Sequence, residues 1–537
     1  MNYLVTIHGR WLLTAFLVLT VHLSESSPVP QGKRLPFLTS DVKEVSKKSF
    51  DFIIVGGGTA GCPLAATLSE KYSVLVVERG GSPYENPLVW NRMYYGLALL
   101  QTDEFSSAAQ RFTSEEGVPS HRGRVLGGSS GINAAFYSRA SDDFVKRVGW
   151  DEELVKEAYE WVESRVVFKP ELTAWQSALK FCLLEAGFLP YNGFIWEHIE
   201  GTKIGGTIYD KNGTRHTSAD LLRAGNPEKI TVLLNATVKN IIFHGNGNER
   251  IARGIRFIKS DGSTNQTYEA YLKEPEDSSL KGEVILSAGA LGSPQILMLS
   301  GIGPEKHLKD FGIPLVLNLK GVGREMQDNP AIAYIPDSKA KYQLSDTPQV
   351  AGIAKDFKFI IEGGIVPINS SSTLTRTRIS IKLAFPESKG MLKLNSTDPR
   401  QNPSVKFNYL SNKKDLDSCV EMARLLQRIS RTKSVVMFLK NGVPNNQTSS
   451  TDKLREFCKK NVRTFYHYHG GCTVRSVVDR DYKVYGVENL RVIDGSTLLE
   501  SPGTNPMATL LMLGRYQGIK ILRERDNIFV SNSQKQP

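Results

Sequence analysis

The chain has 537 residues, a formal charge of +12, 40% hydrophobic and 23% charged residues. That length suffices for a large core or two to three domains, and the composition excludes a low-complexity chain or a solenoid array. Lys and Arg are scattered, and the densest run, "KKNVR" at 459–463, is short, so the surface reads as basic and solvated and no nucleic-acid partner is expected.

At the N-terminus Arg10 precedes an apolar run from Trp11 to Leu23, then Ser24, Ser26 and Ser27. The run is short for a bilayer span, and the pattern predicts a secretory signal peptide over 1–27 with no transmembrane segment left after its removal. Six Asn-x-Ser/Thr acceptors, at Asn212, Asn235, Asn265, Asn369, Asn395 and Asn446, fit a secreted glycoprotein. Five cysteines are too few and too dispersed for a disulfide scaffold.

The next element is a buried strand, Phe52 to Val55, running into Gly56-x-Gly58-x-x-Gly61 and a helix. A second apolar strand, Val74 to Val77, ends at Glu78, twenty residues after Gly58. Gly56 suits the tight turn, Gly58 lets backbone approach a pyrophosphate, and Gly61 lets helix and strand pack closely. The helix N-terminus attracts the phosphate, and Glu78 is placed to accept hydrogen bonds from the adenosine ribose. A lone glycine motif is weak, but strand, helix, second strand and acid agree on a dinucleotide. Further on, "GRVLGGSSGINAAFYSRA" at 123–140 is a small-residue segment too apolar for an exposed loop, able to run its backbone along a cofactor. The alternation in 229–245 reads as a strand pair, 283–301 as strand, turn and helix, and 490–523 as a final strand and helix.

Near the C-terminus "FYHYHGGCTV", 465–474, clusters His467, His469 and Cys472. A zinc site needs a fourth ligand, which is missing, and this weighs against a metal. The other reading is a neutral imidazole taking a proton from a substrate hydroxyl. The stretch alone leaves both open.

Segment 123–140 resembles the first signature of the glucose–methanol–choline (GMC) oxidoreductases, and "GALGSPQILMLSGIGP", 289–304, the second. "VGREMQDNP", 322–330, and "VIDGSTLLESPGTNPMATLLMLGR", 492–515, complete the set in the family's order, over roughly 48–525. "FYHYHGG" is most similar to the plant branch that holds HOTHEAD and the almond-type mandelonitrile lyases. The resemblance implies bound FAD, covalent or not, and an α/β (overall α+β) fold: a Rossmann-like FAD domain with a mostly parallel sheet, and a substrate domain with an antiparallel sheet and helices. The FAD domain is expected at 48–140, 226–330 and 461–525, the substrate domain at 141–225 and 331–460. Family FAD contacts carry over to Gly56, Gly58, Thr59, Ala60, Gly61, Glu78, Arg79, Val125, Ser129, Asn133, Ala134, Ala135, Phe136 and Val238. Tyr466, His467, Asp494, Gly495, Pro506 and Met507 map to the flavin side, and Phe465 to the substrate.

The resemblance makes His467 the base for hydride transfer from an alcohol to flavin N5, with Asn505 as its partner at the hydroxyl. Asn505 also suits a helix N-cap before Pro506. His469 reads as a packing histidine and Cys472 as a small buried residue. The plant branch also implies a Cys419–Cys458 disulfide. The activity implied is a secreted, HOTHEAD-like oxidation of a small-molecule alcohol or hydroxy acid, with long-chain ω-hydroxy fatty acids as one substrate class. Two alternatives stand beside it: a hydroxynitrile lyase that keeps FAD structurally, and a flavin-binding protein of little activity. Asn505 replaces the lyases' histidine and Ile360 their cysteine, which weighs against the first. Segment 359–392 looks short for the family, which would leave the flavin face uncovered and keeps the second open. Oligomeric state is not legible.

Overall fold

The computed structural model describes residues 35–244, 250–274, 282–336, 346–369, 375–440 and 450–533; the expected signal peptide and Asn446 lie outside them. β1 (Phe52–Val55), α1 (Gly61–Leu68) and β2 (Val74–Val77) form the first βαβ unit, and β3 (Ile230–Leu233) extends it. β4 (Glu283–Leu286) leads into α2 (Gly289–Leu299). The middle of the chain supplies β5 (Phe359–Pro367), β6 (Thr375–Leu383), α3 (Lys413–Ile429) and α4 (Thr451–Asn461), and β7 (Leu490–Val492) and α5 (Pro506–Ser533) return to the first sheet.

That sheet is parallel, in the order Leu38–Thr39, β3, β2, β1, β4, β7. Its strands are apolar on both sides because each side is covered. Phe52 and Ile54 enter the core shared with α1 and α5, while Ile53 and Val55 enter the core shared with α2. A second sheet runs Arg463–Thr464, Pro330–Tyr334, β6, β5, Val350–Ile353, Gly201–Ile204, Tyr191–Phe194, antiparallel except at its last pair. α3 packs beneath it with Ile379 and Ile381 in one core. Among the described residues no helix is long and apolar enough to cross a membrane.

Three local details refine the expected organisation. The stretch 229–245 holds the two expected strands, but they do not pair with each other: β3 joins the parallel sheet, whereas Ala236–His244 pairs with Ile251–Lys259 in another. Asn235, at φ 55°, turns the chain between them. Within 141–225, helix Glu152–Val166 and residues Ile208, Leu221 and Leu222 bury their apolar side chains in the core around α1 and α5. The second sheet reaches the cofactor cavity, since Glu362, Gly363, Gly364, Arg378 and Ser380 line it.

Cys419 on α3 and Cys458 on α4 are disulfide-bonded, with Cα atoms 6.1 Å apart and a separation of 39 positions in sequence. Both are fully buried beside Val420 and Leu454. Closing a loop of this length restricts the unfolded chain, so Cys419→Ala with Cys458→Ala should cost roughly 2–4 kcal/mol in chemical denaturation. An unchanged denaturation midpoint would count against a stabilising role. Cys62, Cys182 and Cys472 are buried free thiols.

Candidate active site

The glycines at the end of β1 do different jobs. Gly56 has φ 101°, and a Cβ there would lie 2.5 Å from the Ser287 carbonyl oxygen. A Cβ at Gly61 would lie 2.1 Å from the Gly56 carbonyl oxygen, so this glycine serves helix–strand packing. A Cβ at Gly58 would meet only ordinary contacts beyond 3.6 Å, so no protein atom demands glycine there. What it keeps open is the cavity, of about 340 Å³, that runs from this turn to the second sheet. No side chain caps the N-terminus of α1, which leaves its first amides for a phosphate.

Of the expected site residues, Gly56, Gly58, Thr59, Ala60, Glu78, Arg79, Ser129, Asn133 to Phe136, Val238, Phe465 to His467, Asp494, Gly495 and Asn505 to Met507 all line this cavity. Gly61 and Val125 do not. Val125 is buried with Val89 and Ile132 and bridges to Gly81, so it shapes the wall from behind. Glu78 accepts hydrogen bonds from the amides of Gly57 (3.0 Å) and Gly80 (2.8 Å), and its burial pushes its pKa up. Each oxygen keeps a lone pair for a ribose hydroxyl.

His467 sits where the chain leaves the second sheet. Tyr466, at φ 63°, breaks the strand after Thr464, so His467 and His469 do not share a strand face. The His467 amide donates to Asp328 Oδ1 at 3.0 Å, and Tyr409 donates to Asp328 Oδ2 at 2.6 Å. Burial raises Asp328 to about 6. Asn329 Nδ2 donates to the carbonyls of Leu383 and Ala384, both at 2.8 Å. The "QDNP" stretch thus ties the histidine loop to β6. His469 lies outside the cavity, buried, with its Nδ1 3.0 Å from the His467 carbonyl. Cys472 is fully buried in the core around α2. Among the described residues no group of three His, Cys, Asp or Glu is placed to hold a metal.

The structure adds residues that sequence reading missed. β6 alternates: Thr377, Ile379 and Ile381 face the core, while Arg378, Ser380 and Lys382 face the other side. Lys382 Nζ lies 3.0 Å from His467 Nδ1 and donates to the Thr504 carbonyl at 2.9 Å. Glu362, opposite Ser380 in the register, is buried beside it. Burial drives the Glu362 pKa up and the Lys382 pKa down, and each partner's charge opposes that drift. Lys203 is likewise fully buried and lowered to about 7 by desolvation. The usable signal was a lysine inside the apolar alternation "RISIKL", a charge no core strand tolerates without a partner.

Asn505 is expected either to cap α5 or to hold a substrate hydroxyl. Its Oδ1 accepts no hydrogen bond, so it does not cap α5, and its amide faces the Glu362 carboxylate. Pro506 occupies the first position of α5, with the helix start directed at the cavity.

Residues 50–331 match the N-terminal model of the GMC oxidoreductases and residues 386–514 the C-terminal one, both described as GMC oxidoreductase. The chain belongs to the GMC oxidoreductase family. It is 44% identical to Protein HOTHEAD of Arabidopsis thaliana, over 89% of this chain and 89% of that one. It is also 44% identical to an (R)-mandelonitrile lyase-like protein of the same plant, over 97% and 99%. To the Sinalpyl alcohol oxidase Nec3 of Nesocodon mauritianus it is 41% identical, over 89% and 89%. A formate oxidase of Aspergillus oryzae shares the fold at TM-score 0.76 and 19% identity, covering 90% of this chain and 100% of that one.

The cofactor of this GMC enzyme is FAD, and the open turn at Gly58, the uncapped α1 and the lone pairs of Glu78 fit it. Glu78→Ala should weaken FAD retention by about 1–3 kcal/mol and also lower apoprotein stability, because the Gly57 and Gly80 amides lose their acceptors. Fluorescence titration of FAD checks the first effect and thermal melting of the apoprotein the second. Unchanged retention would remove Glu78 as a cofactor contact.

Proposed function

We propose that the protein oxidises the CH–OH group of a small alcohol, with His467 as the base and Asn505 as the group that holds the hydroxyl. FAD, when bound, supplies the hydride acceptor. One observation carries the reading: His467 and Asn505 line the same cavity, each with its working atom free. His467 Nδ1 is taken by Lys382, leaving Nε2 as the ring nitrogen turned to substrate. Burial holds the imidazole well below its ordinary pKa, so the ring is neutral and one of its nitrogens carries a free lone pair. Asn505 Oδ1, without a partner, accepts from or orients the hydroxyl.

For Nε2 to be basic, the ring proton must sit on Nδ1, and Lys382 must then accept it as a neutral amine. The drop in the Lys382 pKa on burial favours that state. The histidine–asparagine pair supports oxidation over cyanohydrin cleavage, because the lyase pattern places histidine at position 505. Anaerobic mixing with alcohols, hydroxy acids and mandelonitrile tests the reading. Flavin bleaching by an alcohol is expected; cleavage of mandelonitrile without bleaching would overturn it.

Secretion belongs to the same proposal. Asn212, Asn235, Asn265, Asn369 and Asn395 are all exposed, which supports their use as glycan acceptors. The buried disulfide suits an oxidising compartment.

A further inference from the structure

We propose that Arg378, together with the hydroxyls of Tyr95 and Tyr466, binds the carboxylate of a hydroxy-acid substrate whose alcohol end lies at His467. The inference rests on the alcohol-oxidation reading and adds a second recognition point to it.

Arg378 lines the cavity on the same face of β6 as Lys382. Its Nε donates to Ser380 Oγ at 2.8 Å, which fixes the guanidinium plane. Among the described residues, neither of its Nη groups makes a hydrogen bond, and no carboxylate pairs with it. The cations Arg376 and Arg463, of the same sign, lie near it, as do the neutral phenols of Tyr466 and Tyr95. Neither phenol donates a hydrogen bond to a described residue, and both line the cavity. Lys203 and Lys382, by contrast, have Glu362 beside them. Arg378 is therefore a desolvated cation whose fork is held open at a cavity wall. Such a group is costly unless a bidentate anion completes it, and a carboxylate matches the fork geometry.

The room for that anion is built in. Arg378 stands opposite Gly364 in the strand register, and Gly363 and Gly364 put no side chain into the cavity. Four strand positions, roughly 13 Å, separate Arg378 from Lys382, which touches His467. The acid and the carbinol must accordingly stand several carbons apart, which excludes glycolate and lactate and selects acids of medium or longer chain. Val366, Leu99 and Pro348 supply apolar wall for that chain.

The test uses the holoenzyme with ω-hydroxyoctanoate, its methyl ester and octanol, together with calorimetric binding of octanoate. Wild type should prefer the acid to the ester. Arg378→Met should lower the acid-to-ester ratio of kcat/KM about 10–100-fold and weaken octanoate binding by a similar factor. Arg378→Lys, which keeps the charge and loses the fork, should fall between them. Arg378→Glu should turn the preference toward an ω-amino alcohol, a gain that misfolding does not produce. An acid-to-ester ratio that is the same in wild type and Arg378→Met overturns the carboxylate site while leaving alcohol oxidation standing. If wild type oxidises none of the three, the oxidation reading fails, and octanoate binding still decides: equal affinity in wild type and Arg378→Met overturns the site, and loss in the variant upholds it.

Discussion

His467→Ala is expected to keep FAD and the fold but to slow flavin reduction by an alcohol about 10²–10⁴-fold, the usual worth of a positioned base. The fold should survive because the anchoring bond from Asp328 goes to the backbone amide of residue 467, which alanine retains. Lys382 keeps the Thr504 carbonyl and Glu362. His469→Ala is the matched control. That ring is buried outside the cavity, with Nε2 unpaired, so its loss should affect stability more than rate. Anaerobic stopped-flow reduction of the three proteins gives the answer. Equal rates in wild type and His467→Ala would remove His467 as the base, and a larger loss in His469→Ala would reassign the role.

Lys382→Met should have the second large effect, on both stability and pH dependence. Methionine fills most of the aliphatic volume but leaves Glu362 without its nearest cation, and breaking a buried pair costs about 3–5 kcal/mol. The sign follows from Glu362, whose folded pKa is raised above the ordinary 4.5. Its ionised form is the one burial penalises, so the deficit of Lys382→Met should grow as pH rises through that folded pKa and shrink as pH falls below it. Adding Glu362→Gln should recover most of the loss by removing the stranded charge. A double mutant no more stable than Lys382→Met would show that the two groups are not coupled. Activity carries a separate signature. In wild type the rate should rise with pH as Lys382 loses its proton, below the ordinary lysine pKa of 10.5, because the neutral amine accepts Nδ1–H and frees Nε2. In Lys382→Met that limb should disappear.

Much of the molecule was legible before any coordinates, and the reason is local. The turn at Gly56, Gly58 and Gly61 is set by backbone approach distances within a few residues, so spacing alone exposes it. β1, β2, β4 and α2 are apolar runs punctuated by glycine, and their parallel pairing follows from burial on both faces. His467 and Asn505 are candidates by motif, because each sits in a short stretch that resembles a family segment.

The lysine in "RISIKL" hints at a buried charge, but its partners and the side it takes were not legible. Lys382, Glu362 and Arg378 sit on two strands that look like ordinary alternating sequence, and nothing along the chain says which side of β6 meets water. Only the pairing of β5 with β6, and of that sheet with the FAD-side cavity, turns one face of the alternation inward. The same holds for Asn505, whose sequence allows capping or substrate contact equally well; only the packing leaves its Oδ1 without a capping bond and turns its amide to Glu362. Sequence by itself determined the family, the cofactor and the candidate base, since these rest on short-range backbone geometry. Tertiary structure alone decided the electrostatics of the site, because a charge acquires its meaning from partners that lie tens of residues away and from the water that packing excludes.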